Sequence, residues 1–338
     1  MTYVATVADL REPGGPFELR TRDLAEPGPD EVLVRLVATG VCHTDLVAAD
    51  RPVVPGQILG HEGAGVVEAV GAEVGAVEPG DHVVLSYAWC GECANCARGR
   101  MAYCARFLEL NYVGERFFGQ SSFATFTLTS ERNVIRVAKD LPFEFLAPLG
   151  CGVQTGAGAV LNVLKPRKGS SLAVFALGAV GLSAVMAAHI AGCDRIVAID
   201  PNPERRALAL ELGATEAVEP ADAPRGTMDH SVECVGSPDV VKAAVSALAG
   251  PGECVTLGFT GRRNPVELDQ RALMNGRSIR GSIEGDGIPQ RFIPELIKYH
   301  RQGRLPVERL VRTYAFADIN EAIAAARQGA VVKPVLVF

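Results

Sequence analysis

The stretch Leu172-Ala-Val-Phe-Ala-Leu-Gly178-Ala-Val-Gly181-Leu-Ser-Ala-Val-Met-Ala-Ala188 reads as a buried strand that turns sharply into a buried helix. It runs 17 residues without a charge, the short limit for crossing a hydrocarbon core about 30 Å thick. Gly178 and Gly181 interrupt it, and Asp194 and Arg195 follow soon after, so strand–turn–helix is preferred to a membrane span. At the junction, Ala176-Leu-Gly178-Ala-Val180-Gly181 is a degenerate G-x-G-x-x-G dinucleotide fingerprint with Ala176 in place of the first glycine. Alanine is expected there only with a negative φ. Gly178 would let a pyrophosphate approach the backbone, and Gly181 would let the helix pack close to the strand. The next apolar run, Arg195–Ile199, ends at Asp200, 19 residues beyond Gly181. A carboxylate at that strand end hydrogen-bonds ribose hydroxyls and repels a 2′-phosphate, which predicts NAD rather than NADP.

The same alternation continues outward. Pro203–Leu212 is helical in pattern, with Pro203 near its first turn and Gly213 stopping it. His230–Cys234, Asp239–Leu248, Glu253–Leu257 and Ser278–Ile283 extend it, which means βαβ units and a parallel sheet. Pro294–Tyr299 and Ile319–Arg327 have helical patterns, and Val331–Phe338 closes the chain as a strand. The first 150 residues have another texture: short β-branched runs at Val32–Ala38, Gly63–Val70 and His82–Ser86, punctuated by Gly and Pro. The chain of 338 residues is about twice a typical domain, so two domains are expected.

Cys90, Cys93, Cys96 and Cys104 follow the spacing C-x2-C-x2-C-x7-C. Four thiolates this close can surround a tetrahedral zinc ion with no position left open, which is a structural site; an iron–sulfur cluster is also held by four thiolates, but nothing else in the chain suggests electron relay, so zinc is preferred. A second set is dispersed: Cys42 in Gly40-Val-Cys-His-Thr-Asp45, His61 in Gly60-His-Glu62, and Cys151 in Leu149-Gly-Cys-Gly152. Two cysteines and a histidine would leave one zinc position open, although spacing alone does not bring them together. Nine cysteines, odd in number and without an export signal ahead of them, read as thiols or metal ligands rather than disulfides. A cytoplasmic location follows as an expectation. Hydrophobic residues make up 48% and charged residues 21%, the balance of a globular chain. The net charge of −6 argues against a nucleic-acid partner.

The run Gly60-His61-Glu62-x2-Gly65-x5-Gly71-x2-Val74 resembles the zinc signature of the medium-chain alcohol dehydrogenases, and the four-cysteine cluster resembles that family's structural zinc lobe. The narrower resemblance is to NAD-dependent aryl-alcohol (benzyl-alcohol) dehydrogenases. It rests on Leu36–Val47, Phe118–Phe126, Leu149–Gly158 and Glu284-Gly-Asp286. The resemblance implies a GroES-like β-rich catalytic domain over 1–152 and 284–338, and a Rossmann NAD-binding domain over 153–283. It implies two zinc ions per chain, with Cys42, His61 and Cys151 on the catalytic one and Glu62 beside it as an occasional ligand. Asp45 would orient the His61 imidazole, and Thr44 would accept the alcohol proton. His43, Thr155, Gly178, Val180, Gly181, Asp200, Arg205, Gly258 and Lys333 would meet the cofactor, His43 and Lys333 at its pyrophosphate.

The implied reaction is reversible hydride transfer from a primary alcohol to NAD, in a homodimer or homotetramer without membrane partners. An NADPH-dependent, zinc-independent C=C reductase and an NAD-sensing zinc protein are the alternatives. The family's proton relay ends on a histidine whose aligned position here is Val47. Ala48–Ile58, Tyr112–Gly119 and Glu219–His230 read as shorter than in aryl-alcohol relatives, which would widen the substrate mouth. Tyr87 and Trp89 are candidate pocket aromatics.

Overall fold

The computed structural model describes residues 3–52, 54, 56–114, 116–260 and 263–338. In chain order come β1 (Tyr3–Leu10), β2 (Phe17–Leu24), β3 (Glu31–Gly40), α1 (His43–Ala49), β4 (Gly63–Val70) and β5 (His82–Leu85). A short α2 (Ala94–Ala97) lies within the cysteine cluster, before β6 (Phe126–Ser130), β7 (Val134–Val137) and α3 (Phe143–Leu146). Next are α4 (Gly152–Gly158), β8 (Ser171–Phe175), α5 (Ala179–Ala191), β9 (Arg195–Ile199), α6 (Pro203–Glu211) and β10 (Glu216–Val218). Then follow β11 (Met228–Glu233), α7 (Pro238–Ala247), β12 (Leu248–Thr256), α8 (Gln270–Met274) and β13 (Arg277–Gly281). The chain finishes with α9 (Pro289–Arg301), β14 (Val311–Ala315), α10 (Ile319–Gln328) and β15 (Lys333–Val337).

The backbone groups into two units: 1–151 with 288–297 and 307–338, and 152–287 with 298–306. In the first unit a sheet runs β14-β15-β3-β4-β5-β7, with β6 also paired to β3 and a separate β1–β2 ribbon. β3 carries Val32, Val34 and Leu36 at alternate positions into one cluster with Val67, Val83 and Leu85, the period-2 pattern of a strand with one apolar face. β15 pairs antiparallel with the end of β3, Val335 opposite Gly40. That pairing sets Lys333 beside the loop that follows Gly40, where the Val41 amide bonds the Pro334 carbonyl at 2.9 Å.

In the second unit all six strands are parallel, in the order β10-β9-β8-β11-β12-β13. Leu172, Ala173 and Val174 of β8 and Ile196 and Val197 of β9 are buried, as expected for strands covered on both faces. β8 has β9 on one side and β11 on the other, so the order reverses there, the position at which open α/β sheets bind ligands. Local chemistry fixes the helix starts. Asn202 accepts from the Glu204 amide at 2.8 Å ahead of Pro203, and Ser237 caps α7 ahead of Pro238.

Several expectations are corrected. Ala176 has φ +73°, not the negative value expected; its amide donates to Ile199 at 2.8 Å, and that turn holds it in the left-handed region. The helix expected from Pro294 begins at Pro289 and keeps Pro294 inside. Burial of Phe292, Ile293, Leu296 and Ile297 outweighs the hydrogen bond that a proline cannot donate. Residues 284–287 group with the second unit rather than the first, because Gln154 donates to the Glu284 carboxylate at 3.0 Å and Asn162 to the Gly285 carbonyl at 3.1 Å. Residues 298–306 group there as well. Among the described residues no helix is long and apolar enough to cross a membrane.

Candidate active site

Within the first unit, Cys42, His61, Glu62 and Cys151 each present a ligand atom, and these atoms lie within 4.8 Å of one another. Cys42 precedes α1, and Asp45 in its first turn ties two of the group together. The Asp45 carboxylate accepts from the Cys42 amide at 2.9 Å, from the Gly60 amide at 3.2 Å and stands 2.7 Å from His61 Nδ1. His61 Nε2 is buried and has no hydrogen-bond partner. A buried ring nitrogen left so, facing two thiols, suits a metal better than a packed core, because an unsatisfied polar atom is costly. Burial works to lower the His61 pKa, but the Asp45 charge and hydrogen bond hold it well above the ordinary value. Cys151 beside Cys42 holds that thiol well below its usual range, against the effect of burial.

Lys333, expected at the cofactor pyrophosphate, is buried in this cluster. Its Nζ donates to both Glu62 oxygens at 2.8 Å and to the Val41 carbonyl at 3.1 Å. Burial outweighs the lysine's attraction and raises the Glu62 pKa to about 7. Burial would lower Lys333, yet Glu62 keeps it above its ordinary value. Thr44 is half-buried in the first turn of α1, His43 is exposed at its start, and Val47 is half-buried further along.

The four cysteines of the lobe also meet, with their sulfurs within 4.8 Å of one another. Cys93 and Cys96 are 3.5 Å apart, and Cys90 and Cys96 3.9 Å. Four sulfurs about 2.3 Å from a tetrahedral zinc stand about 3.8 Å apart, so the set fits that ion. Backbone amides of Cys93 and Ala105 point at Cys90 and Cys93 sulfurs at 3.4 Å, the donors that favour thiolate.

In the second unit the fingerprint turn departs from expectation at Ala176, while its two glycines stand as follows. A Cβ on Gly178 would meet nothing within 4 Å, whereas one on Gly181 would overlap the Ala176 carbonyl oxygen. The first therefore leaves open backbone for a ligand, and the second brings helix to strand. Asp200 is buried at the end of β9 and accepts from the Leu177 and Asn202 amides at 2.7 and 2.8 Å. This acidic strand end beside an open glycine turn fits a dinucleotide. Gly258 has a structural reason of its own, since a Cβ there would overlap the Gly236 backbone. Thr155 Oγ1 lies 3.4 Å from Glu284, Val180 is half-buried in the first turn of α5, and the Arg205 amide reaches the Asn202 cap at 3.4 Å. It is Arg206 whose guanidinium donates to the Asp200 carbonyl, at 2.8 Å.

Tyr87 is buried in the aromatic core, and Trp89 packs against it with the Arg132 guanidinium 6.0 Å over its ring. A pocket of about 90 Å³ is lined by Leu10, Ala48, Leu59, Tyr112 and Phe117 together with Arg51 and Gln57. The expected short walls, Ala48–Ile58 and Tyr112–Gly119, contribute to it; Val53, Pro55 and Glu115 within them lie outside the described residues. Sequence reasoning assigned no role to Gln120 or Ser86. The Gln120 amide donates to the carbonyls of His61 at 2.9 Å and Ser86 at 3.3 Å, and Ser86 Oγ donates to Gly150, next to Cys151, at 2.8 Å. Their only signal was that Gln120 falls in the Phe118–Phe126 stretch.

Two cysteines, a histidine and a glutamate with converging ligand atoms, in a chain that also carries an open glycine turn and an acidic strand end, define a metal-using dehydrogenase. Residues 28–139 match the alcohol dehydrogenase GroES-like domain and residues 179–299 the zinc-binding dehydrogenase domain. The chain is 43% identical to geraniol dehydrogenase from Castellaniella defragrans, over 99% of this chain and 98% of that protein. Among solved structures it matches an alcohol dehydrogenase zinc-binding domain protein from Burkholderia ambifaria with TM-score 0.97 and 45% identity, covering 100% of both chains. It matches benzyl alcohol dehydrogenase from Acinetobacter calcoaceticus with TM-score 0.92 and 40% identity, over 100% of this chain and 99% of that one. The chain belongs to the zinc-dependent medium-chain alcohol dehydrogenase family and is an alcohol oxidoreductase.

Proposed function

We propose that this enzyme oxidises a primary aryl, allylic or terpene-like alcohol to its aldehyde, reversibly, with the hydride passing to NAD. The observation that carries the reading is the convergence of Cys42, His61 and Cys151, braced through Asp45. These three would hold zinc, with Glu62 beside them. Zinc bound there would supply Lewis acidity that lowers the pKa of an alcohol hydroxyl, and NAD would supply the hydride acceptor. Thr44 takes the alcohol proton in this reading; with Val47 unable to titrate, the proton leaves by way of the ribose and water or by His43. Gly178, Val180, Gly181, Thr155, Asp200, Arg205 and Gly258 bind the cofactor. The buried pair with Glu62 argues that Lys333 serves the metal centre instead. Similarity to geraniol and benzyl alcohol dehydrogenases supports an allylic or aryl substrate.

A panel of benzyl, cinnamyl, geranyl and short aliphatic alcohols, assayed for NADH formation, tests the substrate class. Higher kcat/KM for ethanol than for benzyl and cinnamyl alcohols would refute it. Thr44→Val is expected to lower kcat/KM about 10²-fold or more, the scale of general acid–base contributions; wild-type activity in that variant removes Thr44 from the proton path. Two zinc ions per chain and a homodimer or homotetramer complete the proposal, checked by metal analysis and light scattering.

A further inference from the structure

We propose that the turn Phe117–Phe123 is a positioning element of the metal centre, and that Phe118 sets the plane of the His61 imidazole. The inference rests on the reading of Cys42, His61 and Cys151 as a zinc site. The Phe118 ring stacks on the imidazole with centroids 4.5 Å apart and 29° between planes, and Phe117 meets it edge-on at 5.6 Å and 79°. Phe118 is itself wedged by Phe107, Tyr112 and Phe117 at 6.4, 5.1 and 5.0 Å, each tilted by more than 60°. Its backbone has φ +52°, an outlier for a bulky side chain that tends to accompany functional sites. Asn133 donates to the Phe118 carbonyl at 3.3 Å and holds the turn in that form.

The same turn grips the backbone around His61 from both directions. Gln120 Nε2 donates to the His61 carbonyl at 2.9 Å and Gln120 Oε1 accepts from the Gly63 amide at 3.0 Å. The Ser122 and Phe123 amides donate to Gly60 and Leu59, both at 2.9 Å. The physical need is specific. The Asp45 hydrogen bond fixes one edge of the imidazole but leaves its tilt about that edge soft. A stacked aromatic face limits the tilt and keeps Nε2 aimed at the two sulfurs. An imidazole that gives its Nε2 lone pair to a cation becomes electron-poor, and a phenyl face is the negative end of a quadrupole, so the stack strengthens as the metal binds.

The test follows zinc release to a chelating dye from the purified holoenzyme and from Phe118→Leu, Phe118→Met, Phe17→Leu and Cys151→Ser, with Tm measured alongside. Cys151→Ser identifies the phase belonging to the three-ligand site. That phase is expected to run about 10-fold faster or more in both Phe118 variants, the scale for losing a group that orients a ligand, while release from the four-cysteine lobe is unchanged. Phe17 is buried in the same core, outside the turn, and its ring meets Phe123 rather than His61, so Phe17→Leu should lower Tm and leave the phase alone. Wild-type release from the Phe118 variants, or equal acceleration in Phe17→Leu, would overturn the inference. If Phe118→Leu does not fold, Phe118→Met, closer in volume, carries the comparison. A wild-type enzyme with zinc only in the lobe would overturn the zinc reading itself, and this inference with it.

Discussion

Ala176 takes φ +73° where the dinucleotide fingerprint has its first glycine. Left-handed backbone costs a residue with a Cβ roughly 1–2 kcal/mol. Ala176→Gly should remove that cost, less the entropy a glycine adds to the unfolded chain, for a net gain of about 0.5–1 kcal/mol. Urea denaturation measures it, and an unchanged midpoint would show that the turn has no strain to release. Lys333 makes the opposite case. It is buried against Glu62, so Lys333→Met should cost about 3–5 kcal/mol by stranding a buried carboxylate. The sign with pH follows from Glu62. Its pKa is already raised to about 7 by burial, and loss of the lysine raises it further. Between the two values the variant holds a proton that the wild type has released, so its deficit widens as pH rises above about 7. A deficit independent of pH, or one that Glu62→Gln does not relieve in the double variant, would count against the pair. Neither residue was legible in these roles: a backbone angle and a partner 271 positions away leave no local trace.

At the scale of elements, legibility followed burial. β3, β4, β8 and β9 carry apolar, mostly β-branched residues into cores and were read near their true limits. β2 escaped because Glu18, Leu19, Arg20 and Thr21 are all exposed and give no alternation; it is a strand because β1 pairs with it along its length. α1 escaped because seven residues are too few to show a period, while its cap depends on an Asp45 carboxylate bonded to the Cys42 amide. The cysteine lobe was legible because its ligands are local. Four thiols in 15 residues whose only helical pieces are Ala94–Ala97 and Met101–Tyr103 need the metal to define their fold, and metal binding then contributes directly to stability. Cys96→Ser should lower zinc to about one per chain and reduce Tm, with the three-ligand site retained. Two zincs and an unchanged melting curve in that variant would remove the structural assignment.

For the whole molecule, cofactor choice tests whether the second unit works as its sheet suggests. Asp200 stands at the end of β9, beside the strand where the order reverses, with both carboxylate oxygens already held by backbone amides. A fixed anion there should favour NAD over NADP by about tenfold or more in kcat/KM, which needs only about 1.4 kcal/mol; one charged hydrogen bond supplies roughly that. Asp200→Ala should shrink the ratio, and equal use of NADPH by the wild type would refute the role. The sequence by itself determined the alternation of the second unit, the fingerprint turn with its acidic strand end, and the four-cysteine lobe. Each is written in neighbouring residues, where periodicity and spacing act directly. Cys42 and Cys151 stand 109 positions apart and no local pattern joined them to His61: the family resemblance implied the shared site, and the tertiary structure brings their ligand atoms within 4.8 Å. It also decided that Lys333 answers to Glu62 and that Phe118 and Gln120 brace the imidazole. Those contacts follow from which strands pair and which loops close over them, and such pairing is settled by packing across the fold rather than by any local pattern.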